Sequence, residues 1–197
     1  MGNPIDAALA APADLAMLLE QFGPDATPLG WDAVHAFEAE HDVVLPEPYR
    51  SFVATISNGS AAGPPDYGLL ELGVLPAYWG AGRPDRHLTM PFPLSAPWIW
   101  EGGEGPEPDE EELVPVYDHG SLVLGTDGCG MYWHLIITGA HRGHIWLIDE
   151  AGAMPFGAEF GYTTGQSGFA GWVRHWAQDK DWWDAQQESA GVNVTGF

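Results

Sequence analysis

The stretch from Thr27 to Leu72 constrains the fold most. It sets two helix signals, a Leu45-Pro46 hinge and a glycine-proline loop in a fixed order ahead of an apolar run. Trp31, Val34 and Phe37 recur at helical spacing behind Thr27-Pro28, a cap residue followed by a proline suited to the first turn, and predict a helix ending by His41. Tyr49, Phe52, Val53 and Ile56 lie on one helical face, in a helix begun between Pro46 and Pro48 and stopped by Asn58-Gly59. Upstream, Leu15, Leu18, Leu19 and Phe22 repeat the pattern, and Gly23-Pro24 closes it. After Ser167, Phe169, Trp172, Val173 and Trp176 mark a fourth helix. That helix either runs on through Trp182-Trp183 or breaks at Asp179-Lys180-Asp181.

Between the third and fourth helices the pattern changes. Tyr67 to Leu75, Leu113 to Tyr117, Ser121 to Leu124, Met131 to Thr138 and His144 to Asp149 read as strands, with residues 138–143 as a hairpin loop joining the last two. Nearly every residue from Met131 to Thr138 is apolar, as expected of a central strand covered on both faces. Helices at the ends and strands in the middle predict a single α+β domain, its mainly antiparallel sheet flanked by the N-terminal helices and a C-terminal helix. Residues 76–112 hold little periodicity. They are expected to form a long ordered insertion, because Tyr78, Trp79, Phe92, Trp98, Ile99 and Trp100 would otherwise face water. The expected organisation is a helical extension over 1–26, the domain over 27–180 and a tail over 181–197.

Composition narrows the function. Against 28 acidic residues stand 6 basic ones, a formal charge of −22. Binding a phosphate backbone needs Lys and Arg to displace counterions, so nucleic acid and anionic membranes are not expected partners. Such acidity serves either solubility or a basic protein partner. The N-terminus lacks the basic start and apolar core of a signal peptide, and Gly2 lacks the Ser or Thr at position 6 that myristoylation prefers, since Asp6 stands there. No apolar run is long enough to span a bilayer, so the expected location is the cytoplasm. The single cysteine, Cys129, allows no intrachain disulfide and no cysteine-based zinc site.

Chemistry is sparse. Glu101, Glu104, Glu107, Asp109, Glu110, Glu111 and Glu112 form a carboxylate run without the alternating spacing and tight glycine turn of a calcium loop. The run reads as a solvated acidic loop or as a lure for basic side chains. Gly125 to Gly130 resembles a phosphate loop only in its glycines. No lysine follows and a strand begins at Met131, so a tight turn or bulge is expected. Cys129 has His119 or His134 and Asp118 or Asp127 within reach in sequence, but a small buried thiol is the simpler expectation. His141 and His144 lack the helical setting of a zinc hydrolase, and His35 and His41 lack a third ligand. No cofactor or metal is expected. Trp79, Trp98, Trp100, Tyr67 and the Trp182-Trp183 pair lie in loops or near the tail, as local plugs or interface anchors.

Glu38, then Leu45-Pro46-Glu47-Pro48-Tyr49-Arg50-Ser51-Phe52, then Asn58-Gly59 resemble the core of the SUKH superfamily, which reads E…LPxxYxxF…NGG and continues through a glycine-rich passage into a strand. Gly63 to Leu70 fits that passage, Asp127 to Gly139 and Gly143 to Trp146 resemble later strands of bacterial members, and Phe169, Trp172 and Trp176 resemble the closing helix. Ser60 and the 76–112 insertion depart from the pattern. The resemblance implies a non-enzymatic role. Bacterial members are mostly immunity proteins that bind and neutralise toxins, many of them basic nucleases, and fungal relatives are cell-wall regulators. The expected function is occlusion of a cognate basic toxin by a monomer or weak dimer. The alternatives are a regulatory scaffold of the same fold and, third, a hydrolase using the acidic run or Cys129. No family motif assigns the contact residues. On chemistry and loop position they are expected to be Glu104, Glu107, Asp109, Glu110, Glu111 and Glu112, with Asp66, Tyr67, Trp79, Trp98, Trp100 and Asp127 as anchors. Glu38, Leu45, Tyr49 and Phe52 are expected to be structural.

Overall fold

Alternation along one strand explains the layering. In strand β3 (Met131–Ile136), Trp133 and Leu135, with Ile137 beyond, point to one side of the sheet, while Tyr132, His134 and Ile136 point to the other. Each side meets its own apolar cluster, as the sequence predicts for a strand covered on both faces. The structure, a computed structural model, describes residues 10–23, 25–77, 79, 86–102 and 107–185.

Five strands form one antiparallel sheet in the order β1-β5-β4-β3-β2. Strands β2 (Ser121–Gly128), β3, β4 (Ile145–Ile148) and β5 (Gly152–Phe156) run as a meander, each beside its chain neighbour, and β1 (Trp98–Ile99) adds to the free side of β5. On the first face lie α1 (Pro12–Phe22), α2 (Trp31–His41), α3 (Tyr49–Thr55) and α5 (Gly168–Ala177). Phe52, Phe169 and Trp172 meet Trp133 and Leu135 there. On the second face α4 (Glu110–Asp118) and the chain before it bring Phe92, Trp100, Val116 and Tyr117 onto Ile136, Trp146 and Ile148. The domain is α+β, as its periodicity predicts. Trp79, Phe92, Trp98 and Trp100 from residues 76–112, together with α4, cover the second face.

Several expectations need correction. Leu113 to Tyr117, expected to be a strand, lies inside α4. Asp109 accepts from the Glu112 N–H at 3.0 Å while the Glu112 carboxylate accepts from the Asp109 N–H at 3.2 Å, a reciprocal cap that starts a helix. Tyr67 to Leu75 is not a strand either. The Gly68 N–H bonds back to Pro65 O and Val74 N–H to Glu71 O, so the chain turns twice. It still shields the outer edge of β2, through Tyr67 N–H to Thr126 O and Leu70 N–H to Leu124 O. The second helix begins at Trp31 rather than at Thr27-Pro28, because Thr27 O and Leu29 N–H are bonded to Asn58 and Val53 beside the end of α3. That end comes at Thr55 and the left-handed residue is Gly59. Asn58 instead accepts from Leu72 N–H, tying the loop to the chain beyond it. Leu19 is exposed on α1, whose main contacts are with α3 and α5.

The last helix does not run on through Trp182-Trp183: it ends at Ala177, and the chain breaks direction at Asp179. Asp179 takes a left-handed conformation, and the chain turns so that Trp182 and Trp183 pack on Trp133. Asp184 holds that turn by accepting from Thr164 N–H and from the Thr163 and Thr164 hydroxyls. The glycine cluster is what its composition predicts. Register shifts interrupt β2 between Val123 and Gly125 and between Thr126 and Gly128, and Gly128-Cys129-Gly130 makes the turn into β3 with all three residues at positive φ. Cys129 is therefore exposed at a hairpin tip, not buried as expected.

Candidate functional site

The acidic run divides once it folds. Asp109 and Glu112 are engaged in the cap of α4, and Glu110 and Glu111 stand exposed in its first turn, where the helix dipole favours negative charge. Glu107 is exposed just before them, and Glu104 lies outside the described residues. Glu101, Glu107 and Glu150 come together around Trp100, Pro108 and Leu113, lining an open hollow of about 320 Å³. Glu150 was not anticipated. It sits in the short turn between β4 and β5, whose shape Asp149 fixes by accepting from the Ala151 and Gly152 N–H groups. Its only sequence signal is an Asp-Glu-Ala-Gly turn between two apolar runs.

The aromatic candidates fall into two kinds. Trp100 is buried and donates its indole N–H to Glu150 O, Trp98 lies edge-on to it at 5.1 Å, and Trp79 packs edge-on to Tyr132 at 4.9 Å. All three belong to the second core. Tyr67 is different. It is 73% exposed and stands over Gly128 at the β2–β3 hairpin. Beneath it, Asp127 accepts from Asp66 N–H at 3.0 Å and from the Trp133 indole N–H at 2.7 Å. Burial pushes the Asp127 carboxyl above the ordinary value, against the pull of those two donors. Asp127 thus pins the Asp66-Tyr67 loop to the sheet.

One constellation has the residue types of a catalytic site. The Ser121 hydroxyl lies 3.0 Å from His134 Nδ1, with Asp118 three residues away, yet all three side chains are fully buried. Arg86 donates to the Ser121 hydroxyl at 2.7 Å and to its carbonyl. This is a polar network between the sheet and α4, and the Ser121 hydroxyl has no exposure to solvent. Among the described residues, no group of three or more His, Cys, Asp or Glu side chains is placed to hold a metal ion. His144 instead bonds to Glu159 at 3.2 Å, and the ring of His141 lies beside that of His144. Among the described residues no helix is long and apolar enough to cross a membrane.

The cations are committed. Arg50 forms a bidentate pair with Glu38, whose carboxylate also accepts from Leu45 N–H at 2.9 Å. Arg86 holds Ser121, Arg142 reaches Val44 O, Arg174 bonds Asp14 and Gln166, and Lys180 lies 3.3 Å from the Thr164 hydroxyl. Every described lysine and arginine is therefore hydrogen-bonded within its own chain, two of them, Arg50 and Arg174, to carboxylates, and the net charge of −22 is what a partner meets. Glu38 shows the same logic inside. Burial alone would raise its carboxyl, but Arg50 and the Leu45 N–H outweigh it and hold the group below its ordinary value.

The sheet order, the two-sided covering and the Glu38–Leu45–Arg50 lock define an α+β domain organised around the LPxxYxxF segment. The model of the SMI1 / KNR4 family (SUKH-1) matches residues 28–164, more than two thirds of the chain, and the protein belongs to that family. No curated protein and no solved structure matches it.

Proposed function

We propose that the protein is an immunity protein, which binds a cognate basic toxin and occludes the surface that the toxin presents to its own substrate. Family membership supports a protein-binding role. The observation that carries the basic partner is electrostatic: the formal charge is −22, and each described cation is held by internal hydrogen bonds. Carboxylates presented this way can occupy the positive groove in which a nuclease receives phosphates, and complementary fields speed the encounter. The protein acts in this reading without catalysis and without a cofactor, in the cytoplasm, as a monomer or weak dimer. Glu107, Glu110 and Glu111 supply exposed charge, Asp109 and Glu112 add theirs while capping α4, and Asp127 and Trp100 shape the surface from beneath.

Co-expression with the toxic domain encoded beside its gene tests the proposal. Growth should be rescued, and the purified pair should stay together in moderate salt. Failure of both rescue and complex formation overturns it. A gene neighbourhood without any toxin favours the regulatory scaffold instead.

A further inference from the structure

Three hollows adjoin along one end of the sheet. The largest, about 570 Å³, is polar and has Asp25 and Glu71 in its wall. Tyr67 divides it from a second hollow of about 290 Å³, which is mainly apolar and runs from Pro76 over Gly128, Cys129 and Gly130 to Tyr132. On the far side of that hollow, Gly130 lies against the Glu150 side chain, 3.6–3.9 Å from where a Cβ would sit. Glu150 belongs to the third hollow, with Glu101 and Glu107. Among the described residues, no lysine or arginine lines any of the three. The order along the surface is acidic, apolar, acidic, with an exposed tyrosine as the ridge. An exposed aromatic beside an apolar recess, flanked on two sides by carboxylates, has the composition of an interface anchor.

We propose that this band receives the partner, and that its occupant is an extended segment of a cationic protein. An aliphatic or aromatic side chain enters the middle hollow between Tyr67 and Tyr132. Arginine or lysine side chains on either side of it meet Asp25 and Glu71 at one end and Glu101, Glu107 and Glu150 at the other. The tyrosine ring adds a face on which a guanidinium can stack. This rests on the reading above that the partner is basic. It adds which surface is used and the order of side chains the partner must offer.

Cys129 makes the band testable, because it is the sole cysteine, is exposed and lines the middle hollow. The probe is a fluorescent synthetic peptide with arginines at both ends and a central leucine between glycines, titrated by anisotropy. Alkylating Cys129 with N-ethylmaleimide fills the hollow from outside, and Tyr67→Ala removes its ridge. Each should weaken binding about tenfold, the loss typical of an anchor contact. Replacing the central leucine by glycine should weaken binding to the untreated protein and change little once Cys129 is alkylated, as coupled sites require. Glu150→Gln should weaken binding more than Glu20→Gln, which removes a charge from α1 outside the band. Unchanged binding after alkylation, or equal losses at Glu20 and Glu150, overturns the proposal. Toxin rescue that persists undiminished in Tyr67→Ala also overturns it and leaves the immunity reading standing. Loss of rescue by the unaltered protein overturns that reading, and the peptide titration then decides the band by itself.

Discussion

Glu38 joins three parts of the fold at one carboxylate, because it serves three donors from two later segments. Its carboxylate accepts from Arg50 through both oxygens and from Leu45 N–H, so α2, the Leu45-Pro46 turn and α3 are locked at one point. Removing one partner of a largely buried pair strands the other, which costs about 3 kcal/mol. Glu38→Ala should therefore lower the unfolding free energy by about that amount, read from urea midpoints. The pH dependence has a definite sign. The folded carboxyl lies below its ordinary value of 4.5, so its stabilising contribution is complete above pH 4.5 and is lost as pH falls through the folded value. The gap between the two proteins should hold from neutral pH to about 5 and narrow below 4.5; a gap that widens on acidification contradicts the assignment.

Gly125 carries a second constraint at this scale, one of space. A Cβ there would meet the Pro65 ring and the Gly68 carbonyl, the latter at 2.6 Å. Both belong to the loop that carries Tyr67 and covers the edge of β2. Gly125→Ala should displace that loop, lowering stability by about 2 kcal/mol, within the range for overpacking. It should also speed amide exchange at Tyr67 and Leu70, whose N–H groups bond to β2. Unchanged exchange at both amides would show that the loop is held in some other way.

Among the elements, α4 shows how local chemistry overrides an apolar pattern. Leu113, Val114, Val116 and Tyr117 suit a strand by composition, yet the Asp109–Glu112 cap and the three acids in the first turn start a helix before that run begins. The capping signal is present in the sequence, hidden inside an acidic run. Replacing Asp109 by Ala should cost about 1 kcal/mol. It should also loosen the second core, where Val116 and Tyr117 pack, more than the first, a difference readable by amide exchange in β4 and α5. Elements with strong periodicity were legible for the same physical reason that α4 was not. Tyr49 to Ile56 and Phe169 to Val173 form dense helical faces that leave one reading, and Met131 to Ile136 is apolar on both faces. Strands β1 and β5 carry no such signal. Each is short, and Pro155 within β5 and the prolines around Trp98 break the usual pattern; long-range pairing makes them strands. The site was legible only in part. Tyr67, Glu101 and Glu107 are visible as exposed chemistry, but Asp25, Glu71, Tyr132 and Glu150 join them only because folding brings four separate segments to one end of the sheet.

At the scale of the molecule the charge is arranged, and its arrangement separates solubility from recognition. Acidity that only keeps a protein soluble needs no particular distribution and leaves cations and anions interspersed on the surface. Here carboxylates outnumber cations so heavily that they set the field outside, each described cation is hydrogen-bonded within its own chain, and among the described residues the two outer hollows along the sheet's end hold acids and no lysine or arginine. A field of this kind acts on the approach of a partner before any contact forms. Its reach is the Debye length, about 30 Å at 0.01 M salt and about 3 Å at 1 M. Association with a basic protein partner should accordingly slow by about tenfold to a hundredfold between those conditions, the range seen for electrostatic steering. Dissociation should change much less, because it depends on short-range contacts at the Tyr67 hollow that salt screens weakly. Stopped-flow measurement of both rates across the salt series checks this. An association rate that ignores salt would mean that the charge of −22 does not guide the encounter, whatever the contacts in the final complex. A dissociation rate that rises as steeply as association falls would place the binding energy in exposed ion pairs rather than in the apolar hollow.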